Sequence, residues 1–269
     1  MEEQAHNSTP EPVTYPTWRN HGLRMAESWF EEPVALPGVD IVHLKQRFAP
    51  PQEGLLFERA TLLTNLREAE EALWNALSKE NRYEVRRARA RDGVEIEIYH
   101  HPTEAQLQEF VHYYSAFAHS KGLSRFDKGT SRLLGLYREA GRLVFGVIDK
   151  EGERLVQHVY YVGPGDTCRL LYSASLFRES EDRAFRQLVG RANRLLHWEE
   201  MCWFRQQGYR RLDWGGWHTG ADPAMLRIND FKESFGGTVT PVYFGVVGLT
   251  AAGRLVLRMK QLMRRRATC

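Results

Sequence analysis

Gly208-Tyr209-Arg210-Arg211-Leu212-Asp213-Trp214-Gly215-Gly216 is followed, after a short loop, by Asp230-Phe231-Lys232-Glu233-Ser234-Phe235-Gly236-Gly237. The first stretch reads as a short strand ending in an acid and a glycine pair. The second reads as an aromatic-lysine turn ending in another glycine pair. Glycine pairs at strand ends let backbone approach a ligand or adopt positive φ. A lysine framed by Phe231 and Phe235 sits in apolar surroundings and needs a pairing group or an anion nearby. Two such elements close in sequence read as two walls of one site.

Upstream of this region, residues 182–207 carry Phe185, Leu188, Val189, Ala192, Leu195 and Leu196 at helical spacing, with Gly208 as the stop. Before that helix come three strand patterns, 143–148, 155–162 and 168–174, joined by Asp149-Lys150-Glu151-Gly152 and by Gly163-Pro164-Gly165-Asp166. They predict an antiparallel meander. Thr103 with Gln106 forms a capping box ahead of Leu107, Phe110, Val111, Tyr114, Phe117 and Ala118, predicting a helix that Gly122 ends. Asn65 with Glu68 gives a similar start for Ala69, Leu73, Ala76 and Leu77. Helices are also expected over 82–91 and 131–139, and strands over 40–47 and 94–99. Downstream of the signature, a strand over 238–247 and a basic helix over 254–266 close the chain. The expected fold class is α/β, a mixed and mainly antiparallel sheet flanked by helices. The expected division is a polar, proline-containing tail over 1–20, a reduced N-terminal lobe over 21–80 and the main domain over 81–269.

The chain has 269 residues, 42% of them hydrophobic and 26% charged, enough for a sizeable core. Its net charge of +3 is small, but the basic residues cluster. One cluster is Arg82, Arg86, Arg87, Arg89 and Arg91, and the other is Arg258, Lys260, Arg264, Arg265 and Arg266. Such clusters suit a polyanion or an anionic membrane surface, or serve only as solvated helix faces. Met1-Glu2-Glu3-Gln4 is acidic, so no signal peptide is expected. No window is apolar enough to span a bilayer. The three cysteines, Cys168, Cys202 and Cys269, form no CxxC pair, which excludes the familiar zinc and redox motifs. His100-His101 has no partner ligands in the sequence, so no metal is expected. The expected setting is reducing and cytoplasmic.

Three blocks resemble the FemABX family of aminoacyl-tRNA-dependent transferases and, more broadly, the GNAT acyltransferase superfamily. They are the arginine helix Arg82–Arg89, the run from Trp198 to Gly216, and Phe231–Gly236. The resemblance covers roughly residue 61 to the end. It departs from the family pattern in placing Trp214 directly after the acid, with Tyr209 displaced upstream. It implies a GNAT-like sheet and transfer of an aminoacyl group from aminoacyl-tRNA to an amine, in a peptidoglycan precursor or a natural-product intermediate. No tightly bound cofactor is implied. An acyl-CoA-dependent N-acyltransferase acting on a small molecule, or a non-catalytic RNA-binding protein on a GNAT scaffold, are the alternatives.

The resemblance assigns Lys232 to stabilise charge during acyl transfer, a role that suits a fixed cation facing a developing oxyanion. The structural alternative is a lysine that caps a helix or pairs with Asp230 or Glu233. Asp213 is read as orienting or deprotonating the acceptor amine, or as capping a turn. Phe231, Gly215, Gly216, Gly236, His158, Tyr160 and Tyr172 are the expected substrate-binding residues; Ser173 lies on the same strand as Tyr172. Arg82, Arg86, Arg87 and Arg89 are the expected tRNA-binding residues. Gln187-Leu188-Val189-Gly190-Arg191-Ala192 matches the GNAT pyrophosphate pattern. It falls inside a helical pattern where its N–H groups are already used, which favours coincidence. Neither Cys168 nor Cys202 has a sequence-visible base, so direct transfer without an acyl-enzyme is expected.

Overall fold

A computed structural model describes residues 15–30, 36–51, 54–122, 124, 126–163, 165–176 and 182–267. Among these residues, ten strands form one sheet in the order β1-β2-β3-β10-β4-β9-β8-β7-β6-β5. They are β1 (Thr17–Asn20), β2 (Leu23–Trp29), β3 (Ile41–Arg47), β4 (Leu55–Asn65), β5 (Glu95–His100), β6 (Leu143–Lys150), β7 (Glu153–Val162), β8 (Thr167–Ser175), β9 (Arg211–Trp217) and β10 (Thr238–Gly248). Only β2/β3 and β8/β9 pair in parallel; every other ladder is antiparallel. The helices are α1 (Glu70–Ala76), α2 (Lys79–Arg91), α3 (Glu104–Ser120), α4 (Lys128–Glu139), α5 (Arg183–Gln206), α6 (Pro223–Glu233) and α7 (Ala251–Ala267). This is the expected mixed, mainly antiparallel α/β class.

Strand alternation divides the core between the two faces of the sheet. On one face α5 lies across the meander, with α2 packed against it. Val189, Ala192, Leu196 and Phe204 join Val156, Tyr160, Leu212 and Trp214 there. On the other face, Phe110 of α3 and Leu134 and Tyr137 of α4 pack with Trp29, Phe145, Val159 and Tyr161. Both capping residues foreseen for α3 act as a box: Thr103 accepts from the Gln106 N–H, and the Gln106 side chain accepts from the Thr103 N–H at 2.8 Å.

Local signals misplace two elements. Asn65 does not start a helix: it ends β4, its amide donating to Glu68 at 3.0 Å, and α1 begins only at Glu70 without a side-chain cap. The Asp230–Gly237 stretch is not a free-standing turn. Asp222 caps α6, Pro223 occupies its first turn, and Lys232 and Glu233 are its last residues. Strands β1, β2 and β4 carry no strong sequence signal. β10 inserts between β3 and β4, so β1 to β4 share one continuous sheet with β9 and β10.

Candidate active site

β8 and β9 pair through Thr167/Arg211, Cys168/Leu212 and Arg169/Asp213, and there the ladder stops, although both strands continue. The parting of two parallel strands at their C-terminal ends is a favoured ligand position in open α/β sheets. Asp213 marks its base. It is fully buried and accepts from Arg169 Nη1 at 2.9 and 3.0 Å, Gln46 Nε2 at 2.5 Å, Thr61 Oγ1 at 2.5 Å and the Gly215 N–H at 2.8 Å. A carboxylate with this many donors is held in one orientation. It has no lone pair to spare for an acceptor amine, so the geometry gives it a positioning role rather than that of a base.

A bulge follows. Thr61 faces Gly216 and Leu63 faces Asp213, so Leu62 opposes both Trp214 and Gly215. Gly215 absorbs the kink at φ +84°. A Cβ built on it would stand 3.4 Å from the Leu170 carbonyl and 3.9 Å from both Arg169 Nη2 and Lys232 Nζ. A Cβ on Gly216 would meet nothing within 4 Å. Gly216 instead borders an open cavity of about 520 Å³ lined with Glu58, Arg59, Trp217, Thr219, Val239 and Pro241.

Lys232 reaches this point from the last turn of α6 and donates to the Gly216 carbonyl at 2.7 Å. Burial and the nearby Arg169 guanidinium pull its pKa down to about 8, partly offset by Asp213. Phe231 and Phe235 hold the helix end against His197, and Phe235 packs on Trp214. The Trp214 indole donates to Thr64 Oγ1 at 2.8 Å, and Thr64 donates to the Gly236 carbonyl at 3.2 Å. Gly236, at φ +81°, abuts Ala76 of α1, where a Cβ would come within 3.0 Å. Its role is packing against α1 rather than ligand approach.

The remaining expected residues are distributed differently from the sequence reading. His158 and Tyr160 lie on the α5 face and are fully buried, away from any open ligand path. His158 Nδ1 lies 2.8 Å from Glu200 Oε2 and its Nε2 2.9 Å from Asn193 Oδ1; the Tyr160 hydroxyl donates to Glu200 at 2.5 Å. Burial would raise the Glu200 pKa, but His158 and His197 together outweigh it and the net shift is downward. His197 stacks on His158 with ring centroids 4.0 Å apart, and burial and then His158 depress its pKa to about 4. His158, His197 and Glu200 present ligand atoms within 4.8 Å of one another, a metal-like spacing. Both His158 nitrogens, however, are spent on Glu200 and Asn193. Tyr172 faces the opposite side, among Phe110, Tyr114 and Phe126.

Most of the arginine helix is engaged inside the molecule. Arg82 caps the end of α1 by donating to the carbonyls of Asn75 and Leu77, Arg86 stacks over Trp74 at 5.2 Å, and Arg89 pairs with Glu199. Arg87 borders a polar trough of about 450 Å³ between α2 and α5, with Glu84, Arg183, Arg186, Gln187 and Arg194. Arg194 also stands 5.5 Å over the Phe231 ring. Gln187–Ala192 is interior to α5, with its backbone in the helix ladder. Burial raises the pKa of both described thiols, Cys202 to about 12, so neither is poised as a thiolate.

Gln46, Thr61 and Arg169 escaped the sequence reading. Arg169 had a faint signal, as a lone charge in the apolar run Cys168–Tyr172. Gln46 has none; its left-handed backbone, φ +52°, belongs to an irregularity in the β3/β10 ladder that aims its amide at Asp213.

A parted parallel strand pair, a bulged glycine and a helix-borne lysine thus lie together on a mainly antiparallel sheet, and comparison with known proteins bears on that fold. No family model and no curated protein sequence matches the chain. Among solved structures it is similar to FemX, with a TM-score of 0.62 and 12% identity over 88% of this chain and 83% of that one. It is also similar to the C-terminal domain of a putative lysylphosphatidylglycerol synthetase from Agrobacterium fabrum, with a TM-score of 0.52 and 14% identity over 92% and 84%. L-PGS from Bacillus licheniformis matches with a TM-score of 0.50 and 12% identity over 91% and 84%.

Proposed function

We propose that this chain is an acyltransferase that moves an aminoacyl group from aminoacyl-tRNA to an amine, in a peptidoglycan precursor or a natural-product intermediate. The observation that carries the reading is the convergence of Lys232 Nζ and Arg169 Nη2 on the point a Cβ of Gly215 would occupy, where β8 and β9 part. In this reading the amine nitrogen attacks the ester carbonyl and a C–N bond forms. The C–O bond to the ribose breaks, and the proton shed by the amine ends on the departing ribose hydroxyl. The tetrahedral oxyanion between these steps faces Lys232, whose charge is partly desolvated and therefore effective. Arg169, fixed by Asp213, adds a second cation to the same field.

The acceptor occupies the cavity beyond Gly216, and the donor's phosphates follow the trough edged by Arg87, Arg183 and Arg194. Transfer is direct, since the described cysteines are held as thiols. The purified chain is incubated with radiolabelled aminoacyl-tRNA or with radiolabelled acetyl-CoA and a panel of amines. Label moving from tRNA to an amine supports the reading. Consumption of acetyl-CoA alone assigns the CoA-dependent alternative, and RNA binding without transfer assigns the non-catalytic one.

A further inference from the structure

Helix α7 presents two apolar faces, and only one is covered. Gly253, Val256 and Leu257 pack on β3 and β10. A Cβ on Gly253 would collide with the Asp40 carbonyl at 2.1 Å, and Thr250 donates to Asp40 at 2.7 Å, so the helix start is pinned. Opposite that face, Leu255, Met259, Leu262 and Met263 stand 60%, 53%, 59% and 60% exposed. Their spacing of i, i+4, i+7 and i+8 makes a single stripe along the helix. Beside it opens an apolar groove of about 350 Å³, whose lining includes Leu55, Phe57, Leu257, Lys260 and Met263. The sequence of α7 holds Arg254, Arg258, Lys260, Arg264, Arg265 and Arg266 and no acidic residue. Since the whole chain is only +3, everything outside this helix is net negative.

We infer that α7 docks the protein in the plane of a bilayer surface containing anionic lipid. An apolar stripe beside dense cations is the pattern of an interfacial helix: the apolar face enters the headgroup boundary while the cations meet lipid phosphates. Charge complementarity selects this occupant. A second copy of the chain would bring six cations against six. An RNA backbone would satisfy the arginines but leave the leucine and methionine side chains in water. The spacing of Arg254 and Arg258, 100° per residue, places both along one edge of the stripe, and Lys260 lies across it at the groove. No helix among the described residues is long and apolar enough to cross a membrane, so the contact is a surface one. This surface contact is independent of which donor the strand opening accepts.

The test is flotation of the full chain with vesicles of phosphatidylcholine and of phosphatidylcholine mixed with phosphatidylglycerol. The expected result is binding to the mixed vesicles only. Arg258→Gln with Lys260→Gln weakens it roughly fivefold per charge. Met259→Ser with Leu262→Ser weakens it roughly tenfold or more, since both stripe and charge contribute. These positions are exposed, so the melting temperature stays at the parent value. Leu262→Trp reports independently: its emission shifts to the blue on mixed vesicles and is quenched by brominated acyl chains. Absence of vesicle binding, binding untouched by the serine pair, or no spectral shift from Leu262→Trp overturns the inference. So does a concentration-dependent dimer that the serine pair dissolves, which assigns the stripe to a second copy. RNA capture through α7 without vesicle binding overturns it likewise.

Discussion

Arg169 and Asp213 are the last residues at which β8 and β9 are joined. Their side chains contact at 2.9 and 3.0 Å in the crotch where the two strands part. The pair fixes both the strand opening and one of the two cations that face it. Removing one member leaves the other buried without its partner, which typically costs about 3–5 kcal/mol. Asp213→Ala is therefore expected to lower stability by about that amount in urea denaturation. Asp213→Ala combined with Arg169→Met should recover part of the loss, because no buried charge remains. Purely additive losses would show that the two residues are not coupled.

Lys232→Met should fold normally and lose turnover, by about a hundredfold or more, as for a missing oxyanion donor. Because its pKa is lowered to about 8 by burial and Arg169, the wild-type rate should also decline as the pH rises through that value and the ammonium loses its proton. Lys232→Arg should lack this alkaline limb. A pH profile flat to pH 10 in the wild type would mean that the charge on Lys232 is not used.

The glycines separate strain from access. Gly215→Ala should lower both stability and activity, since φ +84° is unfavourable for alanine and its methyl would enter the space facing Lys232 and Arg169. Gly216→Ala should leave the melting temperature unchanged, because its Cβ would meet nothing; any loss of activity there reads substrate approach. Gly236→Val should unfold more easily through its clash with Ala76, with activity lost only in step with the folded fraction.

Buried His197 gives the fold an acid-sensitive side. The unfolded chain protonates this imidazole near pH 6.5, whereas the folded protein resists until about 4. Between these values the unfolded state binds the extra proton, so stability falls as the pH is lowered through the window. Glu200, whose folded pKa is depressed, adds a further loss as the pH drops below its ordinary value of 4.5. His197→Phe should flatten the slope of melting temperature against pH between 6.5 and 4. An unchanged slope would assign the acid lability elsewhere.

For the donor, charge reversal at Arg87 and Arg183 should weaken tRNA binding and reduce its log–log salt slope by about one unit for each phosphate no longer neutralised. Reversal at Arg86 and Arg89 should mainly lower stability, because Arg86 stacks on Trp74 and Arg89 pairs with Glu199. Equal salt slopes for both double variants and the parent would remove the trough from the RNA surface.

Most elements were legible from local pattern. The α5 stripe, the Thr103 box and the alternation of the meander are set by residues within a turn or two of one another, and a 3.6- or 2-residue period survives any tertiary arrangement. The frame of Phe231, Lys232 and Phe235 near Asp213 and the glycine pairs was likewise visible, because α6 follows β9 directly in the chain. Illegible were β1 and β2, a short hairpin turned at His21-Gly22, and β4, whose partners β9 and β10 are distant in sequence. So was the sorting of His158 and Tyr160 to one face and Tyr172 to the other, which depends on an irregularity in the β7/β8 ladder.

By itself the sequence determined the α/β class, the order of the meander and of the helices other than α6, and a lysine held between phenylalanines near an acid. Tertiary structure alone decided that Gln46, Thr61 and Arg169 converge on Asp213 from three strands, and that Arg82, Arg86 and Arg89 are committed to neighbours. The physical reason is one of range. Helical and strand periods are local sums over side chains, whereas register, bulges and the partners of a buried charge are fixed only when distant segments pack together, such as those of Gln46 and Asp213, 167 residues apart.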